Sequence, residues 1–263
     1  MLLSDLEKLE DAFKDILFVE SNHTYTFNGQ PAKSSVTQLL KYYQKPFDAP
    51  FFAKRTALKN GMSEQEVLDM WEFNKNYSCH KGTSFHSFAE NYLHRKQVPL
   101  DRAEIVSFCK QNNWVIEDYY KDVAKYIKNF YEFYTEWKKG YCLVKTEFVI
   151  GDLDLKVGGT IDNLSYDKIN KKLVLFDYKT NKSIESKNKY NAKLLHDLEH
   201  LSDCELVKYS LQMWIYAVML QKHTDVEVDA GFIVWVGGDK AEVIPVLSLR
   251  DEANMILAKS ALR

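Results

Sequence analysis

The sequence has no closely spaced cysteines: its four cysteines, at positions 79, 109, 142 and 204, form no CxxC pair. Zinc ribbons and iron–sulfur clusters need closely spaced thiolates, so this spacing disfavours both kinds of site. No export pattern is visible at Met1, and scattered cysteines in a chain without such a pattern are expected to be reduced. These absences favour an intracellular, cytoplasmic location.

Long apolar runs, repeats and strong net charge are also missing. No apolar stretch reaches the length that spans a membrane, so we expect no membrane partner. The net charge of −2 over 263 residues excludes a globally basic nucleic-acid coat protein. An enzyme that acts on nucleic acid and has this composition would need a local patch of basic residues on its surface.

The pattern of residues changes near position 140, from helical periodicity to alternating apolar and polar residues. An aromatic-rich helix is predicted over 114–138, and its rings are expected to form core rather than a base-stacking surface. The later part predicts three antiparallel strands, a helix, a strand pair and a final helix, over 141–150, 154–165, 172–179, 205–222, 230–236, 241–247 and 249–262. We predict an α/β fold with a helical N-terminal part, divided into residues 1–80 and 81–263.

The N-terminal part is predicted to contain short elements. A helix is expected over 3–15, and a hairpin over 16–30 with its turn near Asn28-Gly29. Helices are then expected from Ser34 or Ser35 to Tyr43, and over 63–77. Thr83 is a good N-cap residue, so a further helix is predicted to begin near Ser84.

Two carboxylates are predicted to meet in the hairpin between Val157 and Lys179. If its turn centres between Ile169 and Asn170, Asp162 lies opposite Asp177, where cross-strand side chains are close. Two such carboxylates repel each other unless a positive charge lies between them. A divalent cation fits this position, because hard cations prefer oxygen ligands.

Lys179 lies two residues after Asp177 on the same strand, so both side chains project to one face. The preceding run Leu173–Phe176 is apolar. Placing charged side chains at the end of such a buried strand costs folding free energy, which suggests that they have a function. Beside a metal and a phosphate, this lysine could orient the attacking water or stabilise developing negative charge.

His86 is a further candidate ligand. If Thr83 caps the helix, His86 falls in the first turn, where the helix dipole disfavours the imidazolium form. Neutral imidazole is the form that binds metal. Glu90 lies one turn later on the same face and could join the site or hold a water.

The predicted helix over 205–222 is apolar on almost every side, which indicates burial. Gln212 stands out within it, and Tyr209, Gln212 and Tyr216 share one face. Buried amides and phenols need partners, and a neighbouring catalytic site would supply them.

Four segments in this order and spacing resemble the RecB-like branch of the PD-(D/E)xK nuclease superfamily: Gly82–His86, Gly159–Asp162, Asp177–Thr180 and Gln212–Tyr216. The earlier Ser35-Val36-Thr37 segment is similar to the mitochondrial genome maintenance exonuclease group and to related phage exonucleases. The resemblance implies a restriction-endonuclease-like core, a mixed central sheet flanked by helices.

The resemblance implies a role for each matching residue. His86, Asp162 and Asp177, with the carbonyl of Tyr178, would bind Mg²⁺, with Mn²⁺ as a substitute. Lys179 would be the catalytic lysine, and Gln212 and Tyr216 would support the site. Glu147 is a weaker match to an acidic position of some members. Glu90, Thr180, Lys182 and Tyr209 are assigned to substrate binding, no other cofactor is expected, and the cysteine pattern argues against an iron–sulfur cluster.

Two further patterns leave alternatives open. The lysines between 179 and 193 fit a solvated loop and a flap that grips a nucleic-acid backbone equally well. His196 and His200 are four apart on a possible short helix over 192–200. They are interpreted as a solvated face rather than a zinc pair, because the run lacks the HExxH order.

The combined patterns predict a metal-dependent nuclease that hydrolyses DNA, with the resemblance favouring an exonuclease on single strands or free ends, in DNA repair or recombination. The alternatives are a non-catalytic nucleic-acid-binding module of the same fold, a protein-interaction subunit of a recombination complex, and a restriction endonuclease. A phage or bacterial origin is a hypothesis from the resemblance alone, and no protein partner is predicted.

Overall fold

The computed structural model describes residues 3–96 and 100–261. The chain divides into two compact units, one of residues 1–45 and 131–263 and one of residues 46–130. The predicted boundary at residue 80 falls inside a helix of the second unit. No helix within the described residues is both long and apolar enough to span a membrane.

The first unit is built on a six-stranded mixed sheet. Strands β5 (Tyr141–Asp152), β6 (Val157–Asp167) and β7 (Leu173–Lys179) form the predicted antiparallel meander. Helix α7 (Glu205–Thr224) then crosses over to β8 (Val228–Trp235), which lies parallel to β7. Strand β9 (Glu242–Pro245) follows antiparallel, and the short β4 (Ser34–Ser35) pairs parallel with the start of β6. The predicted mixed sheet is confirmed.

Helices cover both faces of this sheet. On one face, helices α1 (Leu3–Phe13), α2 (Val36–Lys41), α7 and α8 (Arg250–Ser260) contribute to one apolar core. On the other face, the end of α6 (Ile116–Gly140) packs Phe133 against the rings of Phe176 and Tyr178, at centroid distances of 5.7 and 6.0 Å. Because the aromatic residues of α6 are largely buried, the expectation that they form core is confirmed.

A small second sheet lies near the N-terminus. It contains β1 (Ile16–Val19), β2 (Thr24–Phe27) and β3 (Gln30–Pro31). The predicted turn at Asn28-Gly29 has positive φ angles at both residues and closes a hairpin of β2 and β3, and β1 adds a third antiparallel strand beside β2.

The second unit consists of helices: α3 (Ala49–Asn60), α4 (Glu64–Leu93), α5 (Arg102–Gln111) and the beginning of α6. The prediction of two separate helices over 63–77 and from Ser84 is wrong, because α4 is continuous and Ser63 caps it in a capping box with Glu66. A helix interior tolerates Gly82 at a cost of about 1 kcal/mol. The hydroxyl of Thr83 donates to the carbonyl of Cys79 instead of capping a helix.

The predicted short helix over 192–200 is reduced to a single 3-10 turn, His196–Leu198. The two histidines therefore do not share a helical face. His196 stacks on Tyr42 at 4.3 Å, whereas Nε2 of His200 lies 3.0 Å from a carboxylate oxygen of Glu252. The predicted helix is therefore wrong, whereas both side chains are exposed as expected, and each has its own partner.

Candidate active site

The hairpin of β6 and β7 has the predicted register. Asn163 pairs with Phe176, so the next step of the ladder places Asp162 and Asp177 at facing positions. The side chain of Asp167 accepts hydrogen bonds from the backbone N–H groups of Ile169 and Asn170, which shapes the turn that sets this register. The two carboxylates are therefore brought to one end of the hairpin.

Asp162 is held in place by the neighbouring strand. Its carboxylate accepts a hydrogen bond of 2.8 Å from the backbone N–H of Tyr178. The phenol of Tyr178 points to the other face of the sheet, where the side-chain amide of Asn163 donates to it at 2.9 Å. A backbone N–H thus helps to orient Asp162.

A third carboxylate, Glu147, joins the row from β5. Thr146 pairs with Asn163 and Phe148 with Ile161, so Glu147 faces Asp162. Ligand oxygens of Glu147 and Asp162 lie within 4.8 Å of each other. The φ of Glu147 is +43°, in the left-handed region that is costly for a side-chain-bearing residue and is often found at functional sites. The sequence signal for Glu147 was only a weak match.

Lys179 brings a cation to these acids. Its ammonium forms an ion pair with Asp177, whose side chain is only 8% exposed. The ammonium also lies 4.6 Å from the ring centroid of Tyr209, and the Tyr209 hydroxyl accepts from the side chain of Asn181. Burial acts to lower the pKa of Lys179, but the charges of Asp177 and Asp162 outweigh it and raise the pKa. Lys179 is therefore held charged.

Helix α7 supplies the predicted supporting pair. Nε2 of Gln212 donates to the hydroxyl of Tyr216 at 2.9 Å. Burial raises the pKa of Tyr216, so its phenol stays protonated. A Cβ atom added to Gly159 would lie 2.3 Å from the Tyr216 ring, so this glycine lets α7 approach β6 closely.

Tyr25, from β2, was missed by the sequence analysis. Its hydroxyl lies 3.0 Å from Oγ1 of Thr160, two residues before Asp162. Burial raises the pKa of Tyr25, and the charges of Glu147 and Asp162 raise it further. No sequence signal linked this residue to the site, because Tyr25 and Thr160 are 135 positions apart.

The remaining candidates belong to α4 and to the segment that follows β7. His86 and Glu90 are on α4 of the second unit, and His86 lies well inside that helix, so the argument that placed it in a first turn is wrong. Thr180 is half-buried directly after β7, whereas Lys182 is exposed. Asn188 stabilises the loop that follows. Its side-chain N–H donates to the backbone carbonyl of Asp203, and its side-chain oxygen accepts from two backbone N–H groups of the same loop.

A cavity of about 370 Å³ lies on the opposite face of the sheet and is separate from this row of acids. Its lining is mainly aromatic and includes Phe133, Trp137 and Phe176. Phe176 precedes Asp177 on β7, and adjacent residues of a strand point to opposite faces. None of the candidate catalytic side chains lines this cavity.

Comparison with known proteins agrees with this geometry. A family model described as the PD-(D/E)XK nuclease superfamily matches residues 58–255, which is well over half of the 263 residues. The match covers α4 and the whole run from β5 to β9. No curated protein matches the chain at a significant level.

Proposed function

The chain belongs to the PD-(D/E)XK nuclease superfamily, and from this premise we propose that it hydrolyses DNA phosphodiester bonds at Asp162, Asp177 and Lys179. The observation that carries the proposal is the placement of these three side chains at one end of the β6–β7 hairpin. Membership makes the chain a metal-dependent nuclease by family. The choice of DNA, of single strands or free ends, and of exonuclease action is our proposal, supported by the resemblance of four motifs to the RecB-like branch.

The residues present fit a divalent cation. Glu147, Asp162 and Asp177 offer carboxylate oxygens, the ligands that Mg²⁺ prefers. Counted by formal charge, the three carboxylates and Lys179 carry an excess of two negative charges among these four side chains. When bound, Mg²⁺ or Mn²⁺ would lower the pKa of a water and offset charge on the scissile phosphate. We propose Asp162, Asp177 and the carbonyl of Tyr178 as ligands, with Glu147 beside them.

Lys179 is proposed as the catalytic lysine. Its ammonium is charged, desolvated and held by Asp177 and the Tyr209 ring. A fixed cation in a dry site interacts more strongly with developing negative charge than an exposed one does. Lys179 would therefore donate a hydrogen bond to a phosphate oxygen or orient the attacking water, and Asp177 would keep it in position.

Gln212 and Tyr216 are proposed as positioning residues. Their mutual hydrogen bond fixes the amide of Gln212, and Tyr216 packs on Gly159 just before Asp162. Glu90, Thr180, Lys182 and Tyr209 remain proposed contacts for the substrate. His86 remains a proposed metal ligand on the basis of its motif, and His86→Ala should raise the Mg²⁺ concentration needed for half-maximal activity.

The test is degradation of end-labelled single- and double-stranded DNA with Mg²⁺, with Mn²⁺ or with EDTA. We expect nucleotide release with either metal, none with EDTA, and much slower release by Asp177→Asn or Lys179→Ala. Asp152→Asn is the matched control, since it removes a buried carboxylate elsewhere in the same unit. Labels at the 5′ and the 3′ end give the polarity.

Three outcomes would contradict parts of the proposal. Folded wild type that binds DNA but cleaves nothing with any metal would identify a non-catalytic binding module. Internal cuts in a circular single strand would replace the exonuclease with an endonuclease. Equal loss of activity in Asp152→Asn and Asp177→Asn would remove the assignment of the site.

A further inference from the structure

The outer face of α3 combines exposed apolar side chains with cations. Phe51, Lys54, Arg55 and Leu58 follow the spacing i, i+3, i+4, i+7 and share one side of the helix, which we call the α3 stripe. All four are exposed, Phe51 by 58% and Leu58 by 80%. The opposite side of α3 packs Ala53 and Ala57 into the small core with α4. The stripe is therefore the side of α3 that points away from its own core.

More aromatic surface flanks the stripe. Phe52 is 39% exposed, and Phe47, just before the helix, is 64% exposed. Their rings stack at a centroid distance of 5.0 Å with an angle of 4° between the planes. Isolated exposed apolar residues are ordinary, but several exposed phenylalanines within six residues indicate a surface that binds something.

The charge on α3 is all of one sign. Lys54, Arg55 and Lys59 are its only ionisable side chains, and each is exposed. Cations on both sides of exposed rings match a polyanion that also offers flat apolar groups. Single-stranded nucleic acid has this chemistry, with phosphates along the backbone and unpaired bases that stack on aromatic rings.

We propose that the α3 stripe binds single-stranded DNA, with Phe51 stacking on a base and Lys54 and Arg55 contacting phosphates. This inference rests on the proposed function, since it assigns a substrate-binding surface to the nuclease. It also names a form of the substrate: the bases must be unpaired to reach Phe51, so duplex DNA gains only the phosphate contacts.

The experiment measures the Kd of the full chain for a labelled oligothymidylate of about 20 nucleotides, by fluorescence anisotropy in EDTA to prevent cleavage. We expect Phe51→Ala to raise this Kd about tenfold, as for loss of one stacked base, and Phe51→Trp to restore it. Lys54→Ala should reduce the slope of log Kd against log salt by about one. The Kd for a closed duplex hairpin should change by less than about twofold in Phe51→Ala.

Val115→Ala is the matched control, because Val115 is an exposed apolar residue of the same unit that lies outside the stripe. Its Kd should stay within about twofold of wild type. Equal weakening by Val115→Ala and Phe51→Ala, or no change in Phe51→Ala, would overturn the proposal. Binding to phosphatidylglycerol vesicles that Phe51→Ala abolishes, with unchanged DNA binding, would assign the stripe to an anionic lipid surface instead.

Failure of this proposal can be separated from failure of the proposed function. Hydrolysis of thymidine 5′-(p-nitrophenyl phosphate) with Mn²⁺ reports on the metal site with a substrate too short to involve stacked bases. Phe51→Ala should hydrolyse it at the wild-type rate. If wild type does not hydrolyse it or DNA, the proposed function fails, while the Kd values still decide the role of the stripe.

Discussion

Two clusters of carboxylates include residues of the β5–β6 hairpin, and their surroundings differ. One is the row of Glu147, Asp162 and Asp177 with Lys179. The other, at the hairpin turn, holds Asp152 and Asp154 with Lys222 and His223 at the end of α7. Both combine acids with a lysine and both contain acidic oxygens close enough for one cation.

In the turn cluster, the carboxylates form hydrogen bonds and ion pairs with other groups of the protein. The carboxylate of Asp152 accepts from the backbone N–H groups of Asp154 and Leu155, both at 3.1 Å, and from Lys222 at 2.9 to 3.0 Å. Lys222 also pairs with Asp154 at 2.8 Å, and Nε2 of His223 accepts from the N–H of Leu153. Such a network closes the turn onto α7 and leaves little for a metal to bind.

In the row of acids, Lys179 pairs with Asp177, and Glu147 stands on a left-handed backbone. The excess negative charge is unfavourable for folding and favourable for binding a cation. The comparison teaches that acidic residues close together do not identify a metal site. The row of acids contains a left-handed backbone at Glu147, whereas the turn cluster is closed by Lys222 and by backbone N–H groups.

The largest expected effect is on the rate of DNA hydrolysis, which a substitution in the row of acids should lower far more than one in the turn cluster. Asp177→Asn should lower the rate of DNA hydrolysis by about 10³-fold or more, because the charge that holds the cation is lost. Asp152→Asn should retain the rate of the folded enzyme within about threefold. Both are measured by nucleotide release at saturating Mg²⁺. A larger loss in Asp152→Asn would reverse the assignment of the two clusters.

The kcat values of Lys179→Ala and Lys222→Ala are expected to differ by about 10²-fold or more. Lys179→Ala should lower kcat by about 10²- to 10³-fold, as removal of one charged donor at a reacting centre does. Lys222→Ala should leave kcat almost unchanged and reduce stability instead. Single-turnover rates and thermal unfolding of both variants provide the check, and an equal kcat in the two would contradict the proposed role of Lys179.

The turn cluster should contribute to stability in a pH-dependent way. Burial alone would raise the pKa of Asp152, but the side chains of His223 and Lys222 and the backbone N–H of Leu155 outweigh it and hold the pKa well below the usual range. Since the folded-state pKa is depressed, the stabilisation is present above about pH 4, where the unfolded carboxyl is ionised, and is lost as pH falls further. Asp152→Asn should lower the free energy of unfolding at neutral pH by about 2 kcal/mol.

Urea unfolding at a series of pH values tests this expectation. The difference between wild type and Asp152→Asn should shrink as the pH drops below about 4. If the difference in unfolding free energy stays constant with pH, the substituted amide destabilises the fold through its shape rather than through the lost charge.

The smallest expected effect concerns the packing beneath the row of acids. Gly159→Ala should destabilise the fold by about 1 to 3 kcal/mol, because the added Cβ would overlap the ring of Tyr216. Gly140→Ala is the control, since a Cβ there meets no atom within 4 Å. Adding Tyr216→Leu to Gly159→Ala should recover part of the loss in a double-mutant cycle of unfolding free energies. Additive losses would show that the two positions do not interact.

Local patterns accounted for much of the fold. The meander from β5 to β7, the buried α7 and the register that faces Asp162 with Asp177 follow from alternation and from a polar turn, which act over a few residues. The wrong predictions arose where tertiary packing outweighed a local sequence signal. Gly82 and Thr83 resemble a helix start, yet the interior of α4 runs through them, because burial of Lys81, Phe85 and Ala89 favours a continuous helix.

The sequence by itself determined the family motifs, the mixed sheet and the positions of Asp177 and Lys179 on one face of one strand, because these depend on spacing along the chain. Only the tertiary structure decided that Glu147 faces Asp162 through a left-handed backbone, that Tyr25 reaches Thr160, and that the acids at the turn are neutralised by α7. The physical reason is that such contacts join segments far apart in sequence. Their geometry is set by how strands and helices pack, which no local pattern contains.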